Sequence, residues 1–178
     1  KVLVEALQQL GAQISYEKEE GYPPIRIKGQ KITANKVSIP ANVSSQYISA
    51  LLLVAPKLEN GIELTLVGEI TSIPYIKMTL ALLNDLNIQT SFEGNVIKVS
   101  PKQEVESKVM TVESDWSSAS YFFSLAALSN EASINISSYK ETSLQGDSAL
   151  VEIYAKMGVE TSFEENKIAL VKQSNFKL

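Results

Sequence analysis

Four short stretches of this chain gather hydrogen-bonding side chains just before or beside an apolar run: Ser44-Ser45-Gln46, Ser72 with Tyr75, Asp115-Trp116-Ser117-Ser118 and Gln145-Gly146-Asp147. Hydroxyls at a helix start suit a phosphate or carboxylate, because the first turn leaves N–H groups unpaired and carries the positive end of the macrodipole. Plain capping competes with that reading, since Ser and Asp are also the preferred N-caps of any helix. Asp115 favours capping, because a carboxylate already fills the position an anion would want. Ser44-Ser45 has no acid beside it and is the better anion candidate. Ser72 falls near a cap position, ahead of Pro74 as a first-turn residue. Gly146 predicts a turn with special backbone angles and Asp147 a cap. Arg26, the only arginine, is expected on a strand after Pro23-Pro24 with its side chain in solvent, and Glu17, Lys18, Glu19 and Glu20 read as a wet hairpin loop.

The elements that must position these residues come from an internal repeat. LVEALQQLGAQISYE (3–17), TLALLNDLNIQTSFE (79–93) and LVEIYAKMGVETSFE (150–164) are three copies of one pattern. Leu3, Ala6, Leu7 and Leu10, and again Leu150, Ile153, Tyr154 and Met157, form one helical stripe. The second copy departs only in starting with Thr79. Each stripe stops at Gly11, Asn87 or Gly158, the residue types that enter the left-handed region cheaply and close a helix. A strand follows, alternating through Ala12, Ile14 and Tyr16, through Ile88, Thr90 and Phe92, and through Val159, Thr161 and Phe163. Turns at Gly94-Asn95 and Glu165-Asn166 lead into residues 96–99 and 167–171, making hairpins. The first copy uses a longer loop, through Gly21.

Upstream of copies two and three the pattern predicts strand, helix and strand, over 36–39, 45–57 and 62–67 and again over 108–112, 117–129 and 132–137. The unit is therefore βαβαββ, with starts at Leu3, Thr79 and Leu150 about 71 to 76 residues apart. Two units are complete and the first lacks its front half, so the expectation is a fragment missing both ends. Ile48 to Ala55 and Tyr121 to Leu128 are apolar on nearly every side, which predicts helices buried all round. The alternating strands predict a sheet with one wet face, outside a shared helical core, with right-handed crossovers. Residues 101–108 are charged and poor in apolar side chains and read as a linker. The expected division is 1–112, part of a first globular domain, and 113–178, the start of a second whose first strand begins near 108.

Composition narrows the function classes. With 178 residues, 44% hydrophobic and 20% charged, the chain should bury a core. A net charge of −4 and a pI near 5.0 argue against nucleic acid or an anionic membrane as partner. The absence of cysteine and histidine removes disulfides, thiol chemistry, imidazole catalysis and most zinc sites. The longest apolar run, 50–56, is far short of the ~20 residues that cross a bilayer. No signal peptide is present in this stretch, so a cytoplasmic location is expected.

The sequence resembles the 5-enolpyruvylshikimate-3-phosphate synthase (3-phosphoshikimate 1-carboxyvinyltransferase) family almost end to end. The matching motifs, in order, are Tyr22-Pro23-Pro24-Ile25-Arg26-Ile27, Ser44-Ser45-Gln46-Tyr47 with Ala50-Leu51-Leu52, and Ser72-Ile73-Pro74-Tyr75-Ile76. Val112-Glu113-Ser114-Asp115 with Ser117-Ser118-Ala119-Ser120-Tyr121-Phe122 follows, then Gln145-Gly146-Asp147 with Lys156-Met157-Gly158. The resemblance implies the inside-out α/β barrel of enolpyruvyl transferases, two domains of three βαβαββ units with helices inside and sheets outside. It implies transfer of the enolpyruvyl group of phosphoenolpyruvate to the 5-hydroxyl of shikimate 3-phosphate, in aromatic amino acid biosynthesis, with no metal or organic cofactor. Ser44, Ser45 and Ser72 then resemble the hydroxyls that hold the shikimate phosphate, Gln46 an amide touching both substrates, and Tyr75 a further ligand. Asp115 and Gln145-Gly146-Asp147 resemble motifs with structural or closure roles, and the domain crossover would fall near Val112.

The family's phosphoenolpyruvate site depends on several Lys and Arg residues, and its general base is an Asp that would follow Leu178; neither is in this stretch. Neutral donors cannot balance several negative charges, so the chain alone is expected to be inactive and at most to bind shikimate 3-phosphate weakly. Ile73 stands where many members carry Lys, and Trp116 where a small residue is usual, a difference expected to fill space at the cleft. The full-length protein is expected to be a monomer, and the uncovered helix faces of the fragment to self-associate. Two other readings fit the same features: the related transferase acting on UDP-N-acetylglucosamine, from which the Ser-Ser-Gln and Gln-Gly-Asp segments point away, and a non-catalytic scaffold that binds an anion or a partner.

Overall fold

A computed structural model describes residues 1–174, and the chain packs as two units, Lys1–Lys108 and Val109–Leu178. The first unit opens with α1 (Val2–Gln9) and a hairpin of β1 (Gln13–Tyr16) and β2 (Ile25–Lys28), which form a two-stranded antiparallel sheet. Then come β3 (Lys36–Pro40), α2 (Ser45–Val54) continued by a 3-10 turn at Ala55–Lys57, β4 (Ile62–Val67), α3 (Ile73–Asp85), β5 (Thr90–Glu93) and β6 (Val96–Val99). The four strands order as β3-β4-β6-β5; β3 and β4 run parallel and the other pairs antiparallel. This is the βαβαββ unit the repeat predicts, and the mixed helix and sheet agree with the expected α/β class.

Alternation along β3 and β4 buries Val37, Ile39, Ile62, Leu64 and Leu66 on one face, against Ile48, Leu51 and Leu52 of α2 and Ile76, Leu80 and Leu83 of α3. The opposite face is wet: Glu63 sits between Lys36 at 3.2 Å and Lys98 at 3.3 Å. The three helix stops also form as expected. Gly11, Asn87 and Gly158 all have positive φ, at 98°, 56° and 77°. Each stop is covered by a donor at or just past the end of its hairpin. Gln30 donates to the Gly11 carbonyl, Lys102 Nζ to Leu86 and Asn87 at 3.1 and 3.0 Å, and the buried Lys172 Nζ to Met157 at 3.0 Å and Ala127 at 2.8 Å. Helix ends leave carbonyls unpaired, and these side chains satisfy them.

The second unit contains α4 (Trp116–Leu128), β7 (Ser133–Ser137), a 3-10 turn at Gly146–Ala149, α5 (Leu150–Ala155), β8 (Val159–Glu164) and β9 (Lys167–Lys172), with strand order β7-β9-β8. The strand expected from about 108 to 112 is not formed. Val109 and Val112 are 95% and 86% exposed, and the nearby backbone bond, Ser114 N–H to the Ser138 carbonyl at 2.7 Å, lies past the end of β7. Alternating side chains make a strand only where a ladder pairs the backbone, and none runs along these residues. The stretch read as a linker, 101–108, has no regular structure but is strapped to the first unit by Lys102 and by Lys108, whose Nζ lies 2.7 Å from the Asp85 carbonyl oxygen.

A second expectation is corrected at the apolar helices. α2 buries Ile48, Leu51 and Leu52 but exposes Leu53 and Val54; α4 buries Trp116, Ala119, Phe123, Ala126 and Ala127 but exposes Tyr121, Leu125 and Leu128. Each helix is covered on the side that faces its sheet and neighbouring helices and left bare on the other, so an apolar sequence alone does not bury it all round.

Candidate functional site

Because β3 and β4 are parallel, the helix that follows each starts at the same end of the sheet, beyond the strands' carboxyl ends. The register continues one step beyond β3, where the Ala41 N–H reaches the Val67 carbonyl at 2.8 Å. Ser44, Ser45 and Gln46 at the start of α2 and Ser72 and Tyr75 at the start of α3 are therefore brought to one edge of the first unit. All five predicted residues lie there.

Their local geometry leaves donors available. Ser44 is the N-cap of α2 and its Oγ accepts from the Gln46 N–H at a long 3.4 Å, so the capping bond is weak. Ser44, Gln46 and Tyr75 are exposed, and Ser45 and Ser72 are half-buried. Ser72 is the N-cap of α3 but its side chain makes no capping bond, and Pro74 in the first turn removes a donor that would otherwise need a partner. Neither first turn contains an acid. Lys77 is the one cation within the first two turns of either helix. The arrangement can hold a phosphate by hydroxyls, an amide and helix N–H groups.

The matching place in the second unit is built differently. Asp115 caps α4, its Oδ1 accepting from the Ser117 N–H at 2.9 Å, as expected. Ser117 Oγ donates to Asp147 Oδ2 at 2.5 Å, and the Trp116 N–H donates to Gln145 Oε1 at 2.9 Å. Asp147 is thus not the cap of its own helix, whose N-cap is Ala149, and Gly146 lies in a 3-10 turn without positive φ. Gln145 displaces both expectations: its amide is spent on Trp116, on the Ser114 carbonyl at 2.8 Å and on Glu113 at 3.2 Å, which draws the loop tight against the helix start. Trp116 is the largest fully buried side chain, edge-on to Tyr139 with ring centroids 5.1 Å apart.

Glu113 is the hub of this closure. Its carboxylate accepts from Trp116 Nε1 at 2.9 Å, Ser143 Oγ at 2.9 Å, the Lys140 N–H at 3.1 Å and Gln145 Nε2. Burial alone would push its pKa up; the four donors outweigh burial and hold it below the ordinary glutamate value. The motif containing Glu113 was visible in the sequence, but its role was not, since three of its four donors come from residues 27 to 32 positions away.

Two open cavities lie away from the five predicted residues. One of about 590 Å³ sits by Gln30, Lys31, Lys57 and Leu58, at the far end of α2 from Ser44, and none of the five predicted residues lines it. Another of about 470 Å³ is lined by Trp116, Gln145, Glu141 and Glu152, two of them acids that disfavour an anion. Arg26 is exposed, as expected, and is paired with Glu17 at 2.5 Å.

The model of the EPSP synthase (3-phosphoshikimate 1-carboxyvinyltransferase) family matches residues 1–178, the whole chain. The chain belongs to that family. A Bacteroides fragilis 3-phosphoshikimate 1-carboxyvinyltransferase is 45% identical over 172 residues, covering 97% of this chain and 42% of the relative. The Haemophilus influenzae enzyme of that name is 37% identical over 174 residues, covering 93% of this chain and 38% of the relative. Among solved structures, an EPSP synthase from Acinetobacter baumannii superposes with a TM-score of 0.71 at 24% identity, over 95% of this chain and 38% of its own, a likeness of fold. The chain spans about 42% of the length of the Bacteroides relative it matches.

Proposed function

We propose that this chain is the shikimate 3-phosphate-binding part of a 3-phosphoshikimate 1-carboxyvinyltransferase. The whole enzyme would transfer the enolpyruvyl group of phosphoenolpyruvate to the 5-hydroxyl of shikimate 3-phosphate, with release of phosphate. Ser44, Ser45 and Ser72 hold the shikimate phosphate, Tyr75 adds a contact, and Gln46 touches both substrates. One observation carries this reading: parallel β3 and β4 bring two acid-free helix starts, with their hydroxyls unspent or weakly spent, to one sheet edge. Asp115 and Gln145-Gly146-Asp147 are structural on this reading, since their side chains are bonded to one another's surroundings.

Catalysis by the chain alone is not part of the proposal. Lys77 is the only cation near the serines in sequence, and two multiply charged substrates need more positive charge than that. The exposed Tyr121, Leu125 and Leu128 of α4 support self-association of the isolated chain, which light scattering measures. The whole enzyme is expected to be a monomer.

The test of the binding reading is an NMR titration of the 178-residue chain with shikimate 3-phosphate. Amides of residues 44–47 and 72–76 should shift together, and Ser45→Ala combined with Ser72→Ala should abolish the response. Shifts confined to another region would overturn the assignment, and release of phosphate from phosphoenolpyruvate when the chain alone is given both substrates would overturn its non-catalytic role.

A further inference from the structure

The two helices that carry the proposed phosphate ligands are joined by a short chain of hydroxyls. Thr79 of α3 is only 5% exposed, and its Oγ1 donates to the Tyr75 carbonyl at 3.0 Å. A threonine has one O–H proton, and a carbonyl can only accept. The contact of 2.9 Å between Ser49 Oγ and Thr79 Oγ1 therefore runs in one direction, with Ser49 of α2 donating. The result is a relay from Ser49 to Thr79 to the Tyr75 backbone, linking α2 to the first turn of α3.

Its location bears on the site. Ser49 lies one turn beyond Ser45, about 6 Å along the axis, and Thr79 lies seven residues beyond Ser72, about 10 Å along α3 at 1.5 Å per residue. Apolar packing between α2 and α3, through Leu52, Ile76 and Leu80, is non-directional and tolerates sliding. A directed hydrogen bond in a nearly dry contact does not. The bond is also costly to misplace, because Thr79, 5% exposed, has little access to solvent.

We infer that Ser49 and Thr79 are positioning residues for the substrate phosphate: their bond sets the register of α2 against α3, and with it the spacing between the Ser44-Ser45 and Ser72 hydroxyls. The inference rests on the binding reading above. Neither residue touches the ligand. Ligation by hydroxyls on two separate helices depends on their mutual placement, so loosening the register weakens the phosphate contacts while leaving contacts to the rest of the ligand.

The test compares shikimate 3-phosphate with unphosphorylated shikimate, both titrated by NMR into the wild-type chain and into Ser49→Ala, Thr79→Val and Thr79→Ser. Valine matches threonine in shape but has no hydroxyl, and Ser49 is only half-buried, so at least one variant is expected to keep the wild-type amide spectrum away from the site. Both hydroxyl-lacking variants should weaken shikimate 3-phosphate about tenfold and shikimate less than about twofold, the scale of one directed bond. Thr79→Ser should recover most of the affinity. Unchanged shikimate 3-phosphate affinity in a folded hydroxyl-lacking variant, or an equal loss for both ligands, overturns the positioning role while the phosphate site stands. A wild-type chain that binds neither ligand overturns the site itself and the inference with it.

Discussion

The starts of α2 and α4 occupy matching places in successive repeats and have been finished in opposite ways. At α2 the cap is a serine with a 3.4 Å bond, the next residue is the half-buried Ser45, and no acid is present. At α4 the cap is Asp115 with a 2.9 Å bond, the next residue is the fully buried Trp116, and Glu113, Gln145 and Asp147 close over the turn. One start has its donors left over, and the other has spent them on its own chain. A helix N-terminus is thus an offer of positive potential that a protein can keep for a ligand or satisfy internally. The neighbouring side chains decide which.

Substitutions at the two starts should split along that line. Trp116→Ala should destabilise the second unit by about 3 to 5 kcal/mol, because it removes the largest core side chain, and urea unfolding measures the loss. Ser45→Ala at the corresponding position should cost less than about 1 kcal/mol and show its effect in shikimate 3-phosphate binding instead.

Glu113→Gln should destabilise the second unit by about 2 kcal/mol, since an amide cannot accept at both ends from the four donors that converge there. The same group adds a pH dependence. Its folded pKa is below the ordinary value of 4.5, so its contribution is complete above that value and is lost as the pH falls through the folded one. Trp116 is the sole tryptophan and its indole N–H bonds Glu113, so its fluorescence should report an acid transition below about pH 4.5 that Glu113→Gln removes. An identical transition in that variant would place the acid sensitivity elsewhere.

The smallest effect should be at the caps themselves. Asp115→Ala should cost about 1 kcal/mol and Ser44→Ala about half of that, because the serine's bond is long. Chemical denaturation of the two variants checks the order, and equal losses would erase the distinction between a spent and an unspent cap.

Much of this fold could be read from the chain. The three copies ending at Gly11, Asn87 and Gly158, the strand at 62–67 and the hairpin strand at 96–99 depend on local periodicity and on which residues tolerate positive φ. Each of these is decided within a few residues. The candidate site residues were also legible, since a serine pair before an apolar run is a local signal. The misreadings are all non-local. Whether 108–112 becomes a strand depends on a pairing edge, whether Gly146 and Asp147 act as turn and cap depends on Gln145 reaching Glu113 and Trp116, and whether an apolar helix is buried all round depends on what surrounds it. Thr79 was the one local clue to the hydroxyl relay, a polar residue where the other two copies have leucine, but its partner Ser49 lies 30 positions away.

By itself, the order of residues determined the repeat, the helix stops, the strand faces and a cationic deficit that no folding can repair, because composition and short-range sterics do not wait on tertiary structure. Only the folded chain decided how the α4 start is closed, by Gln145 and Asp147 arriving from a loop about 30 residues away. Hydrogen-bond donors and acceptors are satisfied by whichever groups arrive within about 3 Å, and that distance is set by packing across the fold.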